Sequence, residues 1–219
     1  MFYILRANAG DAQALDAMTS FFAIAQMLIG VAATLSLFWI DVRLMQAELS
    51  RVAHTDALTG LPNRRAVLAR FDEEAARAKR RGERLALAIL DLDRFKEVND
   101  RHGHAVGDEM LKAAATAFAS AKRGEDILAR IGGEEFLVVL TACESREGAL
   151  QAAERMREAL ARASVSAGGQ ELRVTTSGGV ALYPDEGGDW DALFTAADRR
   201  LYAAKRAGRN LVIAAEPAP

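Results

Sequence analysis

The chain has 219 residues, 51% of them hydrophobic, with a formal charge of −2, which is enough for one globular domain and an appendage. A pI near 6.0 excludes the basic footprint of a nucleic-acid binder. The single cysteine, Cys143, excludes an internal disulfide framework and fits a reducing compartment.

Residues 1–20 read as a short N-terminal segment. From Phe21 to Ile40 no residue is charged, and Gln26, Thr34 and Ser36 are the main polar interruptions. A helix of this length rises ~30 Å, the thickness of a bilayer's hydrocarbon core, so residues 21–40 are expected to cross a membrane. The run is too long for a signal peptide, and Asp11 and Asp16 precede it. Arg6 lies before it and Arg43 and Arg51 after it, which puts the C-terminal side in the cytoplasm. With so little ahead of the span, the chain is expected to be the last helix of a larger membrane sensor or a minimal anchored form. Val42, Met45, Leu49 and Val52 then carry an a/d seam through residues 41–55. Two heptads leave two readings open, a parallel dimer stalk and a single amphipathic connector.

Residues 56–219 hold the remaining elements. Asp56 to Asn63 is a loop whose last residue can cap a helix beginning at Arg64, with apolar Val67, Leu68, Phe71, Ala75 and Ala78 and a basic end at Lys79-Arg80-Arg81. Leu85 to Asp91 reads as a buried strand that delivers Asp91, Leu92 and Asp93. Gly103-His104 and Gly107-Asp108 lead into a helix from about Glu109 to Ala121. Ile127 to Ile131 and Phe136 to Leu140 are strands of a hairpin, with the positive φ of its turn supplied by Gly132-Gly133 and with Glu134 and Glu135 at its tip and exit. A helix from about Arg146 to Ala163, a strand from Leu172 to Val180, a helix from Trp190 to Arg206 and a short strand from Leu211 to Ile213 complete an α+β pattern.

A glycine pair lets backbone approach a phosphate, and a carboxylate beside it can hold the divalent cation that neutralises that phosphate. If the strands ending at Asp91 and starting after Glu134 pair, the two acids become neighbours, as in-line phosphoryl transfer with divalent metals requires. Taken singly, Asp91 reads better as a strand-terminating acid, Asp108 as a helix cap, His104 as a turn histidine and the glycines as an ordinary hairpin turn.

Five blocks occur in order: Asp56-Ala-Leu-Thr-Gly-Leu-Pro-Asn-Arg-Arg65; Asp91-Leu-Asp-Arg-Phe-Lys-Glu-Val-Asn-Asp100 with Gly103-His104 and Gly107-Asp108; Arg130 to Phe136; Ser177 to Ala181; and Ala197-Asp198 through Lys205 to Gly208-Arg209-Asn210. Together, from Asp56 to about Val212, they resemble the diguanylate cyclase family, known by its GGDEF or GGEEF signature. The resemblance implies an antiparallel-centred sheet covered by helices, similar to the palm-type nucleotide cyclase fold, behind one transmembrane helix. It implies condensation of two GTP molecules to cyclic di-GMP and two pyrophosphates by a homodimer at the bacterial inner membrane, with the catalytic domain in the cytoplasm and no nucleic-acid partner. By position, Asp91, Glu134 and the backbone carbonyl of Leu92 would hold Mg²⁺, or Mn²⁺ in its place, and Glu134 is also the family's candidate base. Lys96, Lys205 and Arg209 would face phosphate oxygens, with Gly132 and Gly133 beside the nucleotide and Lys96 offsetting charge in the transition state. Asn99 and Asp108 would read the guanine edge. His104 matches in position, with its role open. Arg123 and Asp126 match the family's inhibitory RxxD site for the product. Arg94 stands where many members carry an aromatic residue. The competing reading is a catalytically silent receptor for GTP or cyclic di-GMP.

Overall fold

The computed structural model describes residues 2–52 and 54–215, with the side chains of the first helix described at 14, 17–43 and 45. The chain forms two compact units that divide after residue 53.

The N-terminal unit is one helix, α1, Phe2–Val52. Its apolar stretch covers Ala17–Arg43 at a mean hydropathy of 2.0, with none of it buried. Phe21, Phe22, Met27, Ile29, Phe38 and Trp39 are all well exposed. The polar interruptions turn inward on their own backbone: Thr34 Oγ1 donates to the carbonyls of Gly30 and Val31, and Ser36 Oγ donates to Ala32 O at 2.8 Å. A hydroxyl satisfied within its own helix is tolerable in a medium that offers no water. Met45 of the expected seam is exposed, while Leu49 and Val52 lie outside the described side chains.

From His54 the chain builds a five-stranded sheet in the order β2-β3-β1-β6-β7. The strands are β1 Leu85–Leu92, β2 Ile127–Gly132, β3 Glu135–Leu140, β6 Thr176–Tyr183 and β7 Val212–Ile213. All neighbours are antiparallel except β6 and β7, which run parallel. A separate hairpin pairs β4 Val165–Ala167 with β5 Gln170–Leu172.

Helices cover both faces, which is why β1 is an unbroken apolar run and not an alternating one. Ala86, Ala88, Leu90 and Leu92 join Phe136 and Val138 under α4, His104–Ala121, and α5, Arg146–Arg162, meeting Met110, Phe118 and Met156. Leu85, Leu87 and Ile89 face the other way, toward Val67 and Phe71 of α2, Arg64–Arg81, and Trp190 and Leu193 of α6, Trp190–Arg206. Asn63 caps α2 by accepting from Ala66 N at 3.0 Å, as its position in the loop predicts.

Two local expectations are corrected, and one segment with no expected element is helical. The segment after Arg94 is a helix, α3, Phe95–His102, eight residues long, with Phe95 and Val98 turned to the core. Helix α4 starts at His104, five residues before the expected Glu109, so Asp108 lies inside it and does not cap it. The expected strand Leu172 to Val180 divides into β5 and β6, because Gly168 and Gly169, both at positive φ, turn Gln170–Leu172 back onto β4.

The glycines of β6 have a steric reason. A Cβ at Gly179 would sit 2.0 Å from Ala197 O and 2.5 Å from Leu201 N, both on α6 backbone. Neither atom can yield without lifting the helix off the sheet. Gly179→Ala is therefore expected to destabilise the domain by about 2–3 kcal/mol, read as a lowered urea midpoint with an unchanged slope.

Candidate active site

The antiparallel pairing of β1 with β3 sets Asp91 opposite Glu135, and Leu92 N donates to Glu134 O at 3.2 Å. The end of β1 and the tip of the β2–β3 hairpin thus become one place. Of the two glycines, only Gly133 takes a positive φ, 42°, while Gly132 closes β2.

Behind the turn, Arg130 donates through Nε and Nη2 to Gly133 O at 3.0 and 2.7 Å. Its Nη1 reaches both Asp56 oxygens at 2.9 and 3.1 Å. Asp56 is also bonded by the Thr59 amide and hydroxyl, at 2.9 and 2.7 Å. Burial pushes its carboxyl up, but the Thr59 and Arg130 bonds outweigh that and hold it below the usual range. The first sequence block therefore buttresses the hairpin from outside the site.

Asp91 is buried at 4% exposure, with Lys205 Nζ of α6 at 2.8 Å from its Oδ2. Burial raises its pKa against the opposing pull of Lys205. Glu134 is raised by burial and then by Asp91, and Glu135 likewise. Three carboxylates thus share one ammonium. The surplus of negative charge in a half-buried place fits a divalent cation. Among the described residues no group of three or more His, Cys, Asp or Glu side chains is gathered to hold a metal. A cation here would rest on two carboxylates, a backbone carbonyl and ligand oxygens, the sparse set that Mg²⁺ favours at phosphate sites.

Arg209 lies close enough for its charge to favour the ionised form of Asp91. Lys96 is exposed on α3 and His104 is exposed at the start of α4. Asn99 and Asp108 lie on α3 and α4, two helices that meet at Gly107. There a Cβ would fall 1.9 Å from Asn99 Oδ1, so the bare glycine is what seats Asn99 beside the turn carrying Asp108.

Arg123 and Asp126 stand apart from these groups, in the turn between α4 and β2. Asp126 is buried and accepts from Arg123 N at 2.8 Å and Thr141 N at 3.2 Å, so its carboxylate shapes the turn. The Arg123 side chain stays exposed, and both residues line a cavity of about 350 Å³. Cys143 lines the same cavity with its Sγ 3.2 Å from Ser145 O, and burial raises its thiol pKa, which suits a packing residue.

Glu135, Asp56, Arg130 and Asp93 belong to this region without having been singled out as site residues by sequence. The Asp91-x-Asp93 spacing, which puts two acids on one side of an extended chain, was the one available signal for Asp93.

Residues 53–211 match the family model described as "Diguanylate cyclase, GGDEF domain". The chain is 46% identical over 159 residues to the diguanylate cyclase DgcP of Pseudomonas aeruginosa, covering 72% of this chain and 23% of that protein. It is 40% identical over 158 residues to the diguanylate cyclase DosC of Escherichia coli, covering 72% of this chain and 34% of the relative. The chain thus spans about a quarter to a third of these relatives' lengths. Among solved structures, the GGDEF domain of DgcB from Caulobacter crescentus in complex with c-di-GMP superposes with a TM-score of 0.67 at 34% identity, covering 73% of this chain and 94% of that one.

Proposed function

The chain belongs to the diguanylate cyclase GGDEF family, and on that premise we propose that its domain from Asp56 onward condenses two GTP molecules to cyclic di-GMP, releasing two pyrophosphates. The observation that carries this reading is the convergence of the Asp91 and Glu134 carboxylates at the end of β1, with Lys205 Nζ 2.8 Å from Asp91.

In each of the two steps a ribose 3′-hydroxyl gives its proton to solvent water as its oxygen attacks an α-phosphorus, and pyrophosphate leaves with the electron pair of the broken P–O bond. Asp91, Glu134 and the Leu92 carbonyl would hold Mg²⁺ or Mn²⁺, which would supply charge to neutralise the triphosphate and polarise the phosphoryl group. Glu134 serves there as a ligand and not as the proton acceptor, because a carboxylate engaged by a cation is a weak base. Lys205 and Arg209 bind phosphate oxygens from α6 and the strap beyond it, and Lys96 offsets charge that develops in the transition state. Gly132 and Gly133 leave room for the nucleotide at the hairpin tip. Asn99 and Asp108 read guanine, since an amide beside a carboxylate matches the donor and acceptor pattern of its edge.

One domain carries one GTP and no nucleophile for it, so turnover needs two domains face to face. Helix α1 supplies that proximity: residues 17–43 cross the membrane, the domain lies in the cytoplasm, and pairing of two such helices raises the effective concentration of one half-site near the other. Arg123, exposed over the Asp126 turn, pairs with product phosphate and gives feedback inhibition.

The test is the full chain in detergent micelles with GTP and Mg²⁺, the product identified by mass, with Glu134→Gln as control. Cyclic di-GMP formation should fall by about a hundredfold in the control. Guanine nucleotide bound by the unaltered chain without any product would replace the cyclase reading with that of a receptor.

A further inference from the structure

We infer that Asp93 is the positioning residue for the phosphate end of the site, fixing the backbone that carries Arg209. This rests on the assignment of Arg209 to the triphosphate.

Asp93 follows β1 directly and is 6% exposed. Its Oδ1 accepts from Ser177 Oγ at 2.7 Å, and its Oδ2 accepts from Thr175 Oγ1 at 2.6 Å and from Asn210 N at 3.0 Å. Its own amide donates to Thr175 O at 2.8 Å. One carboxylate therefore joins three separate segments: the turn after β1, the entry to β6, and the strap between α6 and β7. All three of its donors are neutral, two hydroxyls and one backbone amide. Such an arrangement is costly to desolvate and is retained where it fixes geometry.

The strap has reason to need fixing. Arg209 and Asn210 are consecutive non-glycine residues at positive φ, 67° and 50°, a backbone conformation that side chains disfavour. Arg209 N is tied to Ala204 O at 3.1 Å, and Gly178 N donates to Leu211 O at 3.0 Å. Between those two ties, the amide bond from Asn210 to Asp93 anchors the backbone immediately after Arg209. Arg209 and Asp93 also line one cleft of about 340 Å³ with Arg94. Asp93 itself lies at the floor of that arrangement, under its own donors, and acts on the ligand through Arg209.

The two oxygens of Asp93 are not equivalent, and this makes the inference sharp. Oδ2 carries the Asn210 bond and Oδ1 meets only a hydroxyl, which can reverse its role and accept. Asp93→Asn can therefore keep its oxygen at the Asn210 side and turn its NH₂ toward Ser177. Asp93→Ala loses that bond and leaves the strap to its remaining ties, Arg209 N to Ala204 O, Gly178 N to Leu211 O and Arg157 Nη1 to Asn210 Oδ1 at 2.9 Å.

The experiment measures two things on the full chain in micelles: the affinity for a non-hydrolysable GTP analogue, and hydrogen exchange at the Asn210 amide. Asp93→Ala should weaken the analogue by about tenfold, the scale of one charge-assisted phosphate contact, and should match Arg209→Ala. The double variant should be no weaker than either single one, Asp93→Asn should stay near the unaltered chain, and the Asn210 amide should lose protection only in Asp93→Ala. If the alanine variant does not fold, Asp93→Ser, whose hydroxyl is one bond too short to reach the strap, gives the same readouts. Additive losses, or retained protection at Asn210 in a folded Asp93→Ala chain, would overturn the inference. Unchanged analogue affinity in Arg209→Ala, with Asn210 protection still lost in Asp93→Ala, would instead remove the phosphate role of Arg209 and with it the functional part of the inference.

Discussion

Asp91→Asn is expected to lower the initial rate of cyclic di-GMP formation by about a thousandfold while leaving the domain at least as resistant to heat. The two halves of that result have one cause. Asp91 is buried beside Glu134 and Glu135, and all three carboxyls are raised above their ordinary range, each by burial first. A raised carboxyl is one whose ionised form the folded state disfavours, so neutralising it returns stability. Against this stands the loss of the 2.8 Å ion pair with Lys205, but that ammonium remains within reach of the field of two other acids. The charge that weakens the fold is what draws in a cation and a triphosphate, so the site sacrifices stability for function. Calorimetry of Asp91→Asn beside the unaltered chain checks it. A melting temperature several degrees lower would mean that the Lys205 pair holds the sheet together, and a rate within tenfold would take Asp91 out of the metal site.

The parts of this site that were legible in the sequence are those whose neighbours lie close along the chain or at the ends of obvious strands. Asp91 closes an apolar run and Glu134 follows two glycines, so one strand pairing, β1 with β3, unites them. Asp93 has its partners 82, 84 and 117 positions away, and no local pattern records such bonds. The same holds for Arg130, whose position in the signature was noted but whose reach of 74 residues to Asp56 was not. Helix α3 went unread because its eight residues, Phe95–His102, carry a single apolar i, i+3 pair, Phe95 and Val98, too short a run for a 3.6-residue period to stand out. The division of Leu172 to Val180 failed for the opposite reason: Val174, inside the break at 173–175, keeps a strand-like pattern running from Leu172 into β6, and only the returning β4–β5 hairpin reveals the break. Gly179 was read as part of a block without a cause, since the need for it comes from α6, which arrives from later in the chain.

The largest effect on stability is expected at Arg200, far from any nucleotide. Its side chain is 4% exposed and donates to Val180 O at 2.6 Å and to Glu186, through Nη1 at 2.8 Å and through Nη2. Glu186 also accepts from Leu182 N and from Arg146 Nη1, both at 2.8 Å, and Arg146 donates in turn to Ala214 O. The turn after β6 is thereby tied to α6, to the start of α5 and to the segment after β7. Burial would raise the Glu186 carboxyl, yet the bonds from Arg200, Leu182 and Arg146 hold it at about 2, below its ordinary 4.5. A carboxylate depressed in the folded state contributes stability that is complete above about pH 4.5 and is lost as the pH falls toward 2. Allowing for solvent on one side of the pair, that contribution is about 2 kcal/mol. Arg200→Met keeps much of the volume but leaves the Val180 carbonyl unpaired and Glu186 half-partnered, at a cost of about 3–5 kcal/mol at neutral pH. The gap in melting temperature between the two chains should then narrow on acidification below about pH 4.5, because the unaltered chain loses more than the variant, in which Glu186 keeps only its Leu182 and Arg146 bonds. A gap that stays constant across that range would show that Arg200 stabilises the domain by packing alone, with the charge of Glu186 contributing nothing.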